Sequence, residues 1–223
     1  MTTPTPEPAD GSTGADKKPD RRVSKYTKQA EAAFHWWDAM QPKDRGRGVT
    51  PGDRATLARL RRSSNPAELA VEPATADLFR KLKLGNASAS ERAIDQDIAT
   101  AAVLAGILAH IRKPVSPARD SLARAMGGKH GDRSVVSAIR MKRFMAAREP
   151  EDVLRQFQRI LAMLDDAADV RNAAENVLAW LDPSPAGDRA RTRFAFAYHG
   201  TTLEDADPLD GAATSLPDTS TKA

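Results

Sequence analysis

Residues 140–164, RMKRFMAAREPEDVLRQFQRILAML, read as two helices joined by a turn at Glu149-Pro150. At 100° per residue, Val153, Leu154, Phe157, Ile160, Leu161 and Leu164 fall within one arc of about 120°. Arg155, Gln158, Arg159 and Ala162 fall outside it. Pro150 suits the first helical position, where no backbone donor is lost, and Glu151 and Asp152 suit the positive end of the helix dipole. The second half is therefore a core-facing helix. The first half carries Arg140, Lys142, Arg143 and Arg148 with no acid before Glu149, which points to an anionic partner.

The same signals recur along the chain. TPGDRATLARLRRSSNPAEL, residues 50–69, opens on Thr50-Pro51 with Asp53 three residues after the cap. Leu57 and Leu60 point one way there, Arg59 and Arg62 nearly the opposite way, and Asn65-Pro66 with Glu68 starts another helix. Helices are expected over 25–40, 51–62, 66–84 with a break at Pro73, 90–112, 117–126, 134–148, 150–164, 170–181 and 188–199. Ser24, Thr50, Asn65, Ser90, Ser116 and Asp188 are the expected N-caps, and Gly85 and Gly127 the expected left-handed C-terminal residues. No segment shows a sustained strand alternation. The stretch Ile98–Ile111 is uncharged and apolar on nearly every side, so it is a buried core helix; it is well short of the roughly 20 residues that span a bilayer.

These patterns predict an all-α fold of two small helical bundles around that core helix. The expected divisions are a disordered tail at 1–22, an N-terminal helical lobe at 23–113, a C-terminal helical lobe at 114–200 and an acidic disordered tail at 201–223. The lobes divide at the loop 113–117, and a second flexible loop is expected at 127–132. The last 23 residues hold five acids against Lys222, so of the chain's net +4 the first 200 residues carry +8. A basic body of this kind suits nucleic acid or an acidic surface. The absence of cysteine removes disulfide and thiolate chemistry and, with no apolar leader in the first 30 residues, predicts a cytoplasmic protein with no membrane association.

Catalysis finds no support in the residues. His35, His110, His130 and His199 are scattered, with no i,i+4 pair, so no metal site and no cofactor are expected. GGKHGD at 127–132 lacks the spacing of a phosphate loop and reads as an interhelical loop with Lys129 and Arg133 available to a phosphate. Trp37 shares a helix face with Tyr26, Ala30 and Ala33 and reads as core, with Trp36 half-exposed against a neighbouring helix or subunit. Arginine forks suit phosphates, and clusters that sit beside apolar helix faces have a fixed direction. The candidate nucleic-acid contacts are Arg54, Arg59, Arg61, Arg62, Arg112, Lys113, Lys129, Arg133, Arg140, Lys142, Arg143, Arg189 and Arg191, most of them expected in one groove. Scarce exposed aromatics imply backbone contact without sequence preference.

Five blocks carry a resemblance: FHWWDAM (34–40), DRATLARLRRSSNPAEL (53–69), VLAGILAHIR (103–112), RMKRFMAAREPEDVLRQFQRIL (140–161) and GDRARTRFAFAYH (187–199). In this order and spacing the chain resembles the CasB family, the small subunit of the type I-E CRISPR Cascade complex. Ala146 stands where many relatives carry an arginine, and Tyr198-His199 where a paired tyrosine is common. The resemblance implies a non-catalytic subunit, assembled with other Cascade subunits and a second copy of itself. It implies contact with guide RNA and with target or displaced DNA, holding the displaced strand and bracing the guide–target duplex to stabilise the R-loop. The other reading of the residues is a stand-alone helical regulator with 134–148 as its recognition helix.

Overall fold

The amphipathic arc forms as expected. The computed structural model describes residues 26–44, 49–85, 90–116, 121–130 and 133–200. Within them helix α8 spans Pro150–Met163, and Val153, Leu154, Phe157, Ile160 and Leu161 are buried. It follows α7 (Ala138–Ala146), whose Met141 and Phe144 face inward. Before these come α1 (Thr27–Ala39), α2 (Arg54–Arg62), α3 (Pro66–Ala70), α4 (Pro73–Lys81), α5 (Glu91–His110) and α6 (Leu122–Gly127). After them come α9 (Val170–Leu181) and α10 (Pro185–Tyr198). Pro73 breaks the third segment as expected, because its ring fits the first turn of a new helix and not the interior of an old one.

The fold is all-α, with three two-residue strand pairs among the described residues that the sequence pattern does not announce. Antiparallel β1 (Lys43–Asp44) and β2 (Val49–Thr50) precede α2, and antiparallel β4 (Lys129–His130) and β5 (Arg133–Ser134) stand between α6 and α7. Parallel β3 (Lys113–Pro114) and β6 (Ala167–Ala168) tie the end of α5 to the turn after α8. That turn has Asp165 and Asp166 both at φ 58°, and the Asp166 carbonyl accepts from the backbone N–H of Arg112 and of Lys113 at 3.0 and 3.1 Å.

α5 is the axis of the packing. Its residues Thr100–Ala109 are buried on every side, and it meets α2, α3 and α4 from the first half and α8 and α9 from the second. Gly106 lets this happen closely, since a β-carbon there would lie 2.7 Å from Leu69 Cδ1 and 3.0 Å from Leu154 Cδ1. α1 reaches past α5 to pack on α9. Arg171 forks onto Glu31 at 2.5 and 2.9 Å, and its guanidinium lies 3.4 Å from the centre of the Phe34 ring. Buried side chains from both halves form one continuous cluster.

Several boundaries differ from the sequence reading. The N-cap of α2 is Asp53, whose carboxylate accepts from Thr56 N at 3.0 Å; Thr50 is taken by β2. α6 is capped by Ser121 and not by Ser116, and it begins at Leu122. α7 begins at Ala138 and not at 134, because Arg133 and Ser134 pair with β4. α10 begins at Pro185 behind the Ser184 cap, three residues before the expected start, and Asp188 lies in its first turn. Asn65 and Ser90 stand at the N-cap positions as expected, Asn65 with its side chain accepting from Ala67 N and Ser90 without a side-chain bond, whereas Ser24 lies outside the described residues. The left-handed residue directly after α4 is Lys83, at φ 54°, two residues ahead of Gly85, also left-handed at φ 76°.

Gly127 is not left-handed but lies inside α6, and its role is close approach. A β-carbon there would fall 1.9 Å from the carbonyl oxygen of Tyr198. Gly127→Ala is therefore expected to push the end of α10 away and cost about 1–3 kcal/mol. Gly128→Ala, where the nearest atom is 3.3 Å away, is the matched control. Urea midpoints that fall equally for the two would contradict the close approach.

Candidate nucleic-acid interface

The basic residues of the sequence analysis separate into three kinds once placed. The first kind is structural. Arg191 is buried in α10, where Nη1 donates to the carbonyls of Ala179 and Trp180 at 2.8 and 3.1 Å and Nη2 to Asp188 at 2.6 Å. It holds the otherwise unpaired C-terminal carbonyls of α9, so it is corrected from a phosphate contact to an internal cap. Arg61 is half-buried and donates from Nε to the Ala109 carbonyl at 2.5 Å, which does the same for α5. Burial first, and then the charge of Arg112, hold its pKa below the ordinary arginine value. The neighbouring His110 is also held below its usual value, chiefly by burial, and its Nδ1 lies 2.8 Å from the Gly106 carbonyl.

The second kind is neutralised. Arg59 pairs with Glu72 at 3.0 Å and also reaches Thr56 Oγ1. Arg112 pairs with Asp166 at 3.3 Å, and Lys113 with Asp165. The two acids that end α8 thus face the two cations that end α5.

The third kind is exposed, with no ion pair among the described residues: Arg54, Arg62, Lys129, Arg140, Lys142, Arg143 and Arg189. Arg133 is placed by its backbone in β5. Arg140 and Arg143 line a groove of about 380 Å³ between α7 and α8, together with Gln156, Arg159, Ile160, Ala162 and Met163. Among the described residues no carboxylate lines it. Arg140 Nη1 lies 3.7 Å from Met163 Sδ, and two residues beyond Met163 begins the Asp165-Asp166 turn that holds Lys113 and Arg112. Arg61 lies within reach of the charges of Arg112 and Asp166, so Arg61, Arg112, Lys113 and Arg140 gather around the C-terminal end of α8. Arg189 stands apart on α10, and Lys129 lines a different groove with Arg124.

Two residues of these grooves, Arg159 and Arg124, are absent from the sequence set. Arg159 falls outside the apolar arc of α8, but Gln156 and Met163 flank it on the side that α7 covers. The short Glu149-Pro150 turn was the available signal, because it folds α7 back along one edge of α8. Trp36 is corrected as well. It is 2% exposed, and its Nε1 donates to the Ala74 carbonyl at 3.0 Å, so its ring is packed against α4 and is closed to a base. α6 and α7 are not joined by the tight turn of a helix-turn-helix, since the paired strands β4 and β5 stand between them. Among the described residues no group of histidines and carboxylates could hold a metal ion, and no helix is long and apolar enough to cross a membrane.

These features define an all-helical protein with an arginine-lined groove beside its best-formed amphipathic helix. The family model for CRISPR-associated protein Cse2 matches residues 56–199, from the first turn of α2 to the end of α10. The chain belongs to that family, Cse2 or CasB, and so is a subunit of the type I-E CRISPR Cascade. Neither the curated proteins nor the solved structures gave a match. The match leaves out α1, which the packing on α9 nevertheless makes part of the core.

Proposed function

We propose that this chain is a non-catalytic Cascade subunit that grips nucleic acid by its backbone phosphates, without sequence preference. In this reading it holds the displaced DNA strand and braces the guide–target duplex, next to the other subunits and a second copy of itself, in a cytoplasmic ribonucleoprotein. The carrying observation is the groove of Arg140, Arg143 and Arg159 with no carboxylate in its lining among the described residues. Unpaired guanidinium groups in such a groove present bidentate donors to phosphate oxygens. Strand exchange is nearly balanced in base-pairing energy, so a few such contacts are enough to lengthen the life of the open state.

The test replaces Arg62, Arg140, Arg143 and Arg159 with alanine and leaves Arg61 in place to cap α5. Each phosphate neutralised on a single strand contributes roughly −0.7 to the slope of log affinity against log salt. Four lost contacts make the slope shallower by about 3, and two by about 1.4. Affinity falls alike for all sequences, because phosphate contacts position and do not specify. In the whole complex guide RNA is retained and the R-loop is shorter-lived. An unchanged slope with an unchanged R-loop lifetime makes these arginines an ordinary solvated face and removes the proposal.

A further inference from the structure

α7 has two basic edges, and only one faces α8. Arg140 and Arg143 lie on that edge, whereas Ala138 lines a second groove of about 570 Å³ between α6, α7 and the end of α10. Lys142 follows Ala138 by one turn and so stands on the same side. Arg124 and Lys129 line this groove, both are exposed, and neither has an ion pair among the described residues. Among the described residues its lining contains no carboxylate, and small apolar groups that include Gly127, Ala138 and Ala197 contribute to its floor. At this floor Gly127 meets the backbone of Tyr198, leaving no room for a β-carbon.

The described residues end at the same groove. Gly200 lines it at φ 78°, and the next residues of the sequence are TTLEDADPLDG, 201–211. This segment carries Glu204, Asp205, Asp207 and Asp210 with no base before Lys222, and it sets Leu203 and Leu209 among the acids. Ten extended residues reach at most about 34 Å, so distance is no obstacle. A tether this short gives an effective concentration in the millimolar range, at which a few individually weak ion pairs hold a segment in place. The groove between α7 and α8 offers the same charge but lies across α7 from Gly200.

We propose that residues 203–210 dock back into the α6–α7–α10 groove, with their carboxylates on Arg124, Lys129 and Lys142 and Leu203 over the apolar floor. The acidic segment then acts as an internal polyanion that an external one must displace from this side of α7. That last consequence rests on the nucleic-acid reading above; the docking itself does not.

The chain has no cysteine, so Ala212→Cys in the full-length protein takes a single nitroxide label. At low salt the label is expected to broaden the amide signals of Gly128, Lys129, Ala138 and Lys142. The broadening is expected to disappear in about 0.5 M salt and in the paired variant Arg124→Glu, Lys129→Glu, with Arg124→Gln, Lys129→Gln as the milder pair should the first disturb the fold. Broadening centred on Arg143 and Arg159 instead, or none at all, overturns the docking. Independently, full-length protein with Glu204→Gln, Asp205→Asn, Asp207→Asn and Asp210→Asn is expected to bind a 20-nucleotide oligothymidylate about three- to tenfold more tightly at low salt. Equal affinities overturn the competition. Failure of both proteins to bind the strand counts against the nucleic-acid reading, and the spectra then judge the docking alone.

Discussion

Phe157→Ala is expected to cost about 3–5 kcal/mol of unfolding free energy, the usual range for truncating a buried phenylalanine. Phe157 is fully buried on the arc of α8. Its ring meets Phe144 of α7 at 4.8 Å between centroids and Trp180 of α9 at 5.6 Å, the latter nearly perpendicular at 88°. Phe194 of α10 closes the group, 4.9 Å from Trp180 and 5.5 Å from Phe144. Edge-on aromatic contacts of this kind add to the area term, and the hole left by alanine is walled by rings that cannot collapse into it. Arg159→Ala on the same helix is exposed and is expected to cost under about 0.5 kcal/mol. Equal losses for the two in a denaturant titration would reverse the assignment of the buried face.

Arg191→Leu is expected to cost about 2–4 kcal/mol, although leucine is the more apolar residue. The substitution leaves the carbonyls of Ala179 and Trp180 without their donor at a buried helix end, and an unpaired buried acceptor costs more than a made hydrogen bond gains. Arg189→Ala, two residues away and exposed, is expected to stay within about 0.5 kcal/mol. The salt dependence of nucleic-acid binding separates the roles. Folded Arg191→Leu keeps its slope, because its guanidinium has no face toward a strand. A small stability loss together with a shallower slope would return Arg191 to the interface.

The helices were legible because their apolar periods, prolines and caps are local. Pro150, Pro73 and Asn65 each sit where the pattern requires. Thr50 and Asp53 show the limit. Both can cap, and the choice fell to Asp53 because β1 pairs with β2, which the local sequence does not encode. The same limit governs the arginines. Arg189 and Arg191 are two residues apart in one basic run, yet one is solvated and the other is the buried partner of α9. Helix phase alone could have separated them, since Arg191 shares the side of α10 that carries Phe194, Tyr198 and Gly187. Arg159 was missed for the opposite reason. Its side of α8 becomes a groove wall only when α7 folds beside it. The glycines required contact as well: Gly127 looks like a helix stop in sequence and is a contact with Tyr198 in space.

The burial of α5 has a consequence for how the protein is made. The uncharged residues Thr100–Ala109 find part of their cover on α8 and α9, which end at Met163 and Leu181. Translation reaches His110 roughly 70 residues before Leu181. At about 5–20 residues per second that interval is about 4–14 s. Throughout it, the most apolar helix of the chain stands outside the ribosome with only α2, α3 and α4 to cover it. The uncovered side of α5 is the kind of apolar surface that holding chaperones bind, and a synthesis pause between α5 and α9 lengthens its exposure in direct proportion.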